Sequence, residues 1–240
     1  MKPSAILIGA SSGIGLELCR HLASENYRIG IAARRKPLLD EVAASLAQIC
    51  HVSEIDVARP DEAIQRFKSM MEAVAPVDFV YICAGTGHPN PDLRWELEDR
   101  TIRVNALGFA ALASTAMSYF LKQGHGHLVG ITSVAAVRGS SDAPAYGATK
   151  AFESHYLESL RIRARKSGVR IWVTEIRPGF VKTAMMKAEK PFWVASPVVA
   201  ARQIIAAAEA RKSVAYVTAR WRLAAWLMRM LPRMIYDRVA

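Results

Sequence analysis

The sequence predicts a doubly wound α/β fold, in which a parallel sheet of about seven strands carries helices on both faces. Short apolar runs alternate regularly with longer segments of helical periodicity, which is typical of repeated β-α units. Several of these runs show no polar alternation, as expected of parallel strands buried on both faces. A chain of 240 residues without a linker, a low-complexity tract or an internal repeat is most economically one domain.

The elements follow in chain order. The first strand is an apolar run that is too short for a signal peptide and passes directly into a glycine-rich turn. Helically spaced apolar residues then indicate the first helix: Leu16, Leu18, Cys19, Leu22 and Ala23. Strands are predicted at 4–9, 27–32, 51–55, 77–82, 127–132, 169–176 and 214–218. Helices are predicted at 13–24, 36–47, 60–74, 93–121, 146–166, 197–210 and part of 219–231.

The turn after the first strand has the spacing Gly9-x-x-x-Gly13-x-Gly15. Glycines permit a tight turn, and they let backbone N–H groups approach a phosphate at the start of a helix, where the helix dipole favours anions. Alone, such a turn could be purely structural. Between a strand and a helix, it predicts a site for the diphosphate of a dinucleotide.

A second motif combines Ser133 with Tyr146 and Lys150. Residues four apart share one face of a helix, so the lysine ammonium is expected to lower the pKa of the tyrosine from its usual value of about 10. The tyrosine could then transfer a proton near neutral pH, while the serine hydroxyl holds a carbonyl or alcohol oxygen beside it. These residues predict proton transfer between C=O and CH–OH, which also requires a hydride carrier.

Both motifs fall at the carboxyl ends of predicted strands. In a doubly wound sheet, ligands bind beyond those ends, where the strand order reverses. Residues in this position are Gly9, Arg34, Asp56, Ala84, Ser133 and Pro178. We therefore expect them to meet in one cleft.

Together these motifs resemble those of the short-chain dehydrogenase/reductase family, and the resemblance covers most of the chain. It includes, in the family's order, Asp56-Val57, Cys83-Ala84-Gly85, Asn105 and the segment 178–183. The chain departs from the family at Ile8, where threonine is usual, and at Cys83, where asparagine is usual. The resemblance implies a Rossmann-type cofactor-binding and catalytic domain over 1–218 with a substrate loop at 183–196, and a basic amphipathic extension follows at 219–240.

NADP(H) is the predicted cofactor. The second strand ends in Ala32-Ala33-Arg34-Arg35 and lacks the carboxylate with which NAD-binding enzymes often bond the adenosine ribose. Arginine can instead bind the 2′-phosphate through charge-assisted hydrogen bonds. Arg34 is the expected main contact, with Ser11 or Arg35 assisting. A solvated basic helix start is the alternative, although basic residues there oppose the helix dipole.

The resemblance also assigns roles to individual residues. Val57 and Val181 could equally serve only in packing. The implied catalytic residues are Asn105, within a water-linked proton relay, Ser133, Tyr146 and Lys150. The predicted cofactor contacts are Gly9, Ser11, Ser12, Gly13, Ile14, Gly15, Arg34, Arg35, Tyr146 and Lys150, with Asp56 and Val57 at the adenine, Ala84 and Gly85 at the adjacent ribose, and Pro178, Gly179, Val181 and Thr183 at the nicotinamide.

The predicted activity is the reversible, NADPH-dependent reduction of a ketone or aldehyde to an alcohol. On the same scaffold, an isomerase or dehydratase could use the tyrosine with a retained cofactor, and a non-catalytic NADP-binding regulator is a further class. A regulator would usually have a damaged Ser/Tyr/Lys set, and this set is intact. The resemblance implies a homodimer or homotetramer in which the helices at 93–121 and 146–166 pair, and we expect it in the cytoplasm.

Composition narrows the classes of partner. The formal net charge of +11 fits an anionic cofactor, an anionic substrate or an acidic membrane surface, whereas no motif favours nucleic acid. Cys19, Cys50 and Cys83 lack metal-binding spacing, so we expect buried thiols in a reducing compartment. His125 and His127 are interpreted as residues of a glycine-flanked turn rather than metal ligands. No metal site and no membrane span are predicted.

Two segments bear on the substrate. Methionines and aromatic residues at 184–195 suggest an apolar pocket, although ordinary helix packing would use the same residues. In the segment 219–231 and just beyond, Arg222, Arg229 and Arg233 share one helical face, much of the rest is apolar, and Pro232 should end or kink the helix. Such a helix could cap the pocket, pack in an oligomer or lie in a membrane interface. We favour packing or a dimer contact over peripheral membrane association. The substrate is expected to be apolar or lipid-like.

Overall fold

Seven parallel strands form one sheet in the computed structural model, which describes residues 2–187 and 191–238. Part of the predicted substrate loop, residues 188–190, lies outside the described residues, as does the side chain of Cys50. The strands are β1 (Ser4–Ile8), β2 (Arg28–Ala33), β3 (Ile49–Glu54), β4 (Phe79–Ile82), β5 (His125–Ile131), β6 (Arg170–Pro178) and β7 (Val214–Val217). Their order across the sheet is β3-β2-β1-β4-β5-β6-β7.

Helices cover both faces of this sheet. They are α1 (Gly13–Ser24), α2 (Lys36–Ser45), α3 (Pro60–Val74), α4 (Trp95–Ile102), α5 (Phe109–Gln123), α6 (Pro144–Lys166), α7 (Pro197–Glu209), α8 (Arg220–Met230) and α9 (Arg233–Tyr236). A π-helical turn, Arg103–Gly108, joins α4 to α5, and a 3₁₀ turn, Val134–Ala136, follows β5. The predicted single-domain, doubly wound α/β fold of Rossmann type is confirmed.

The alternation of side chains along the strands divides the core into two layers. Ile6 and Ile8 of β1 pack in the layer that contains α3, α5 and α6, whereas Ala5 and Leu7 pack in the layer that contains α1 and α7. All five residues of β1 are consequently buried. Burial on both faces explains why the strands are apolar runs in the sequence.

The strand order reverses between β1 and β4. The chain first adds β2 and β3 on one side of β1, and then returns to place β4 on the other side. Because the connections diverge at this point, a crevice opens beyond the carboxyl ends of the two strands. Gly9 follows β1 at this crevice, and Ala84 follows β4 close to it.

The longest predicted helix, over 93–121, contains a turn of a different kind. The helical stretch runs without a break over Trp95–Gln123, but α4 ends at Ile102 and α5 begins at Phe109, with the π-helical turn between them. A Cβ on Gly108 would collide with the backbone oxygen of Val57, so this turn lies directly against the chain after β3. A helical pattern of period 3.6 does not distinguish one wider turn within it.

The continuous helical stretch Trp95–Gln123 is long and apolar enough to cross a membrane, with a mean hydropathy of 1.4 over its most apolar 18 residues. It is the one such stretch in the part of the chain that the structure describes. Half of its most apolar portion is buried, and α5 packs against α3, β4 and β5. This packing is typical of a helix that belongs to the protein core.

The interpretation of His125 and His127 as residues of a turn is wrong, whereas the strand predicted at 127–132 does include His127. Both lie in β5, which begins two residues earlier than predicted, because the left-handed Gly124 ends α5 with a φ of +84° and leads straight into the strand. His127 is buried, with its Nε2 atom 2.8 Å from Thr174 Oγ1. Burial lowers the pKa of His127 to about 4. Within the described residues, no group of three or more His, Cys, Asp or Glu side chains could hold a metal ion.

Candidate active site

A cleft of about 1230 Å³ lies across the carboxyl ends of the strands. Each of the residues predicted to contact the cofactor lines this cleft, and so does Ser133. Asn105 is not among the lining residues and is fully buried. Residues from α8 and α9 also line the cleft, so the segment 219–238 contributes to its wall.

The glycine turn leaves the start of α1 open to the cleft. Gly9 has a φ of +93°, and a Cβ there would come within 2.6 Å of the backbone nitrogen of Ala84. Gly13 also has a positive φ, +58°, while a side chain on Gly15 would collide with the backbone oxygen of Gly9. Only glycine fits this close approach, and the exposed helix start is suited to a phosphate.

Arg34 and Arg35 form a basic edge beside the glycine turn. Arg35 Nη2 donates to Ser11 Oγ at 3.2 Å and to Ser12 Oγ at 3.1 Å. Arg34 is exposed at the rim of the same cleft. Arg35, which the sequence indicates only as an assisting residue, is therefore the one that the structure fixes over the turn.

The chain segments after β3 and β4 form the adjoining wall. Asp56 Oδ1 accepts a hydrogen bond from the backbone nitrogen of Ala58 at 3.1 Å, which stabilises the turn after β3. Val57 is buried against Gly108. Packing, which the sequence leaves open as an alternative for Val57, is thus part of its role, although Val57 also lines the cleft.

The segment after β6 faces the glycine turn from across the cleft. Val181 is buried and forms an isolated parallel bridge with Ala195. Thr183 Cγ2 would lie 3.1 Å from a Cβ placed on Gly13. The two sides of the cleft therefore approach each other closely at Gly13.

Ser133 stands at the carboxyl end of β5. Its Oγ accepts a hydrogen bond from the backbone nitrogen of Ala135 at 3.1 Å. The neighbouring Thr132 Oγ1 donates to Glu175 Oε1 at 3.0 Å, and Arg177 Nε donates to the same oxygen at 2.7 Å. Because Glu175 is buried, this network fixes the strand ends that carry Ser133.

Tyr146 and Lys150 lie on one face of α6, as their spacing predicts. Lys150 Nζ is 5.9 Å from the centre of the Tyr146 ring. The ring is partly buried and packs on Gly87, where a Cβ would come within 2.7 Å of ring atom Cδ2. Tyr146, Lys150 and Ser133 all face the cleft.

Glu153, which the sequence analysis missed, is the buried partner of Lys150. Lys150 Nζ donates to both carboxylate oxygens of Glu153 at 2.9 Å and to the backbone oxygen of Ile131 at 3.2 Å. Glu153 is completely buried. The signal was the position of an acid three residues after the lysine, which places both on one helical face.

Burial and charge act in opposite directions on this pair. Burial raises the pKa of Glu153 to about 7, against the attraction of the Lys150 ammonium. Burial alone would lower the pKa of Lys150, but its interactions with Glu153 and Tyr146 outweigh burial and raise the pKa. The site therefore favours a charged lysine through neutral pH.

Asn105 holds the wall behind the tyrosine and lysine. Its Oδ1 accepts from the backbone nitrogen of Thr86 at 2.9 Å, and its Nδ2 donates to the Thr86 oxygen at 2.8 Å. Nδ2 also donates to Thr149 Oγ1 at 3.1 Å. Asn105 thus ties the segment after β4 to the residue preceding Lys150.

Aromatic side chains cluster beside the segment after β6. Trp221 of α8 packs directly on Gly179, and its ring centre lies 5.5 Å from that of Phe180 and 5.1 Å from that of Phe192. Trp221 is buried, and its Nε1 has no hydrogen-bond partner among the described residues. This part of the cleft is therefore apolar, with one indole N–H in its wall.

Arg138 holds the end of α8 in place over the cleft through hydrogen bonds. Its Nη1 donates to the backbone oxygens of Met228 at 3.1 Å and Leu231 at 2.9 Å. The guanidinium carbon lies 4.0 Å from the centre of the Tyr236 ring, and the Tyr236 hydroxyl donates to the Gly139 oxygen at 2.6 Å. Of the possibilities left open for this segment, packing over the pocket is what the structure shows. No sequence signal linked Arg138 to residues ninety positions away.

The cysteines follow the prediction only in part. Cys19 is buried, whereas Cys83 is partly exposed and lines the cleft, because β4 ends one residue before it. Burial of its sulfur raises the pKa of Cys83 to about 12, with Lys150 acting in the other direction. Cys83 is therefore a neutral thiol at the floor of the cleft.

The fold and the cleft define a Rossmann-type nucleotide-binding protein with a Ser/Tyr/Lys site. The family profile described as short chain dehydrogenase matches residues 3–192. An uncharacterized oxidoreductase of Myxococcus xanthus is 38% identical over 188 residues, which are 76% of this chain and 73% of that protein. The chain belongs to the short-chain dehydrogenase family.

Solved structures share the fold at lower identity. A short chain dehydrogenase from Burkholderia cenocepacia in complex with NADP has a TM-score of 0.85 and 21% identity, covering 99% of this chain and 97% of that chain. A short chain dehydrogenase/reductase from Burkholderia phymatum in complex with NAD has a TM-score of 0.83 and 18% identity, covering 95% of this chain and 92% of that chain. These similarities confirm the fold, and the two proteins hold different dinucleotides.

Proposed function

We propose that this protein is an NADP(H)-dependent oxidoreductase that reduces a ketone or aldehyde to an alcohol. The observation that carries the proposal is that Ser133, Tyr146 and Lys150 line the same cleft as the glycine turn. A proton-transfer group and a dinucleotide cradle are thereby placed within one enclosure. Both are required for the interconversion of C=O and CH–OH.

The residues present fit NADP(H). A side chain on Gly9 or Gly15 would collide with the backbone of Ala84 or of Gly9, so only glycine lets the turn fold this tightly and present the start of α1 to a diphosphate. Arg34 and Arg35 offer two guanidinium groups to the 2′-phosphate. When bound, NADPH supplies the hydride that reduces the carbonyl carbon. Tyr146, Lys150 and the residues from Pro178 to Thr183 complete the proposed site.

The side chains perform the proton chemistry. Ser133 holds the carbonyl oxygen and orients it toward the phenol. Tyr146 donates the proton that this oxygen takes up, so that hydride and proton together yield the alcohol. Lys150, kept charged by Glu153, favours the phenolate that remains.

Asn105 acts in this proposal as a positioning residue. Its side-chain amide makes hydrogen bonds with Thr86 and Thr149. Because Thr149 directly precedes Lys150 on α6, these bonds fix the position of the lysine relative to the chain after β4. The water-linked relay through Asn105 that the resemblance implies stays a prediction. In that relay, bulk solvent returns a proton to the tyrosine by way of the lysine.

An apolar or lipid-like substrate is supported by the lining of the cleft. Beyond the catalytic residues the walls carry Met185, Met186, Phe192, Trp221 and Met228. Such side chains bury apolar surface and adapt to irregular shapes.

A homodimer or homotetramer in the cytoplasm completes the proposal. The outer faces of α4, α6 and the π-helical turn carry exposed apolar residues, Ile102, Leu107, Phe152 and Ile162. Exposed apolar side chains on these helices could be buried in a contact with another copy of the chain. It supports pairing through the helices named for that role from the sequence.

The test is NADPH oxidation measured across short ketones, steroids, 3-ketoacyl chains, sugars and lipid ketones. We expect one alcohol formed per NADPH consumed. Tyr146→Phe should lose nearly all turnover, at least about a hundredfold, and still bind NADPH in a fluorescence titration. Product formation without net NADPH consumption would identify an isomerase or dehydratase instead, and substantial turnover by the variant would reject the tyrosine as the acid.

A further inference from the structure

The outer face of α8 and α9 carries large apolar side chains that the fold leaves exposed. These are Leu223, Trp226, Leu227, Met230, Met234 and Ile235, with exposures from 49% to 75%. At about 100° per residue, the four on α8 form one stripe along the helix. On the opposite side of α8, Trp221 and Ala225 are buried. The helix is therefore apolar on two sides, and the fold uses only one of them.

The border of this outer face is strongly basic. Residues 219–238 contain five arginines, Arg220, Arg222, Arg229, Arg233 and Arg238. The one acid in the same stretch is Asp237, which lies 3.5 Å from Arg233. The flank with Arg222 and Arg229 continues into a second cavity of about 860 Å³ whose charged lining is mostly basic. The apolar stripe is thus bordered by a surface of net positive charge.

We propose that this outer face docks on an anionic lipid bilayer, with α8 and α9 lying parallel to the membrane surface. Tryptophan and aliphatic side chains enter the boundary between headgroups and acyl chains, while arginines at the border contact anionic headgroups. The proportions suit surface attachment, since α8 has only 11 residues and a helix needs about 20 residues to cross a bilayer.

Charge decides between a bilayer and a second copy of this chain. In a symmetric dimer formed through this face, each patch would meet its own copy. The arginines of both copies would then be brought together, and like charges across an interface oppose association. An anionic bilayer matches the same arginines with opposite charge, so it is the occupant that the surface fits.

Docking would also orient the cleft. Trp221 and Met228 of α8 and Tyr236 of α9 line the cleft from the protein side, while the apolar stripe faces outward. The helix that contacts lipid is therefore the wall of the substrate pocket. Resting on the proposed function, this arrangement suits a carbonyl substrate that partitions into membranes; the docking itself does not depend on catalysis.

The experiment is vesicle flotation of the full chain, with phosphatidylcholine vesicles compared with vesicles that contain about 30% phosphatidylglycerol. We expect binding at least about tenfold tighter to the anionic vesicles, and weaker binding at high salt because screening weakens surface charge. Trp226→Gln combined with Leu227→Gln should reduce binding to anionic vesicles at least about tenfold. Arg229→Gln should weaken binding to anionic vesicles alone.

Matched controls come from α7. Val198→Gln removes an equally exposed apolar side chain, and Arg202→Gln removes an exposed arginine; neither should alter flotation. Circular dichroism and NADPH titration would establish that the variants are folded. Equal binding to neutral and anionic vesicles, or binding unaffected by the α8 variants, would overturn the proposal. It would also be overturned if light scattering showed a dimer that the Trp226/Leu227 variant dissolves.

Discussion

At the scale of single residues, the ion pair of Lys150 and Glu153 is the main addition to the expected site. A lysine buried alone would tend to lose its charge, and an isolated buried glutamate would tend to take up a proton. Each residue stabilises the charge of the other. Removing either one would leave a buried charge without its partner, which is strongly destabilising. Glu153 touches no cleft residue other than Lys150 in the described hydrogen bonds, so its effect on the proposed reaction acts through the lysine.

Replacing Glu153 with glutamine should move the pH profile of carbonyl reduction. Glutamine keeps a hydrogen-bond acceptor but removes the negative charge, so the pKa of Lys150 falls and the net positive charge near the phenol rises while lysine is charged. The form of the site that donates the proton has a charged lysine and a protonated tyrosine. Both effects cause this form to lose a proton at a lower pH. We expect the alkaline limb of kcat to shift down by about one pH unit.

The matched control for this variant is Glu158→Gln, on the same helix, with a side chain 60% exposed. Its profile should coincide with that of the wild type. Each rate would be divided by the folded fraction from circular dichroism at the same pH, which separates a change in ionisation from partial unfolding. An unshifted limb would show that Glu153 is only structural.

Cofactor choice should depend on two neighbouring arginines. Losing a charge-assisted hydrogen bond costs about 1.5–3 kcal/mol, so Arg34→Ala should raise the KM for NADPH roughly ten- to a hundredfold and leave that for NADH nearly unchanged. Arg35→Ala should do the same and also weaken NADH modestly, because Arg35 bonds both serines of the glycine turn. Lys36→Ala, at the next position and paired with Asp40, is the control. If neither arginine variant changes the NADPH/NADH ratio, the assignment of the 2′-phosphate site is rejected.

At the scale of elements, α8 combines two roles that the sequence offered as alternatives: its inner side closes the cleft, and its outer face is proposed to contact a membrane. Its inner side closes the cleft through Trp221, and its end is held by Arg138. The guanidinium contacts the last carbonyl groups of the helix, where a positive charge also complements the helix dipole. A surface helix of 11 residues is marginal alone, so these contacts decide whether it stays in place.

Arg138→Gln should therefore loosen α8 without unfolding the protein. Losing these hydrogen bonds would lower the local opening free energy by at least about 1.5–3 kcal/mol, the cost of losing one bond from a charged donor. Amide hydrogen exchange in the second half of α8 should then be about ten- to a hundredfold faster, and the KM for the carbonyl substrate should rise, while NADPH affinity stays within about twofold.

The control is Arg222→Gln, an exposed arginine on the same helix whose side chain makes no hydrogen bond within the described residues. It should leave exchange unchanged. If Arg138→Gln also leaves amide hydrogen exchange and the KM for the carbonyl substrate unchanged, the hydrogen bonds from Arg138 to the end of α8 make no contribution to closing the cleft.

At the scale of the whole molecule, sequence reasoning was most successful where a local pattern matches a local geometry. The glycine turn was predicted because β1, Gly9 and α1 are consecutive in the chain. The face shared by Tyr146 and Lys150 follows from helical spacing alone. The π-helical turn within 93–121 was not predicted, because it depends on Gly108 packing against Val57, a contact between distant parts of the chain.

The sequence by itself determined the α/β alternation, the strand ends at which the site lies and the chemical groups available there, because each is a property of neighbouring residues. Only the tertiary structure decided that Arg35 is anchored to the glycine turn, that Glu153 pairs with Lys150 in full burial, and that α8 closes the cleft beneath Arg138. The contacts of Arg35 and Arg138 join segments that are remote in the chain, and the burial of the Lys150–Glu153 pair comes from packing of other segments around α6. The outer face of α8 illustrates the same contrast. The sequence showed that the helix is apolar and basic, but only the packing of the folded chain decided which of its sides remains exposed.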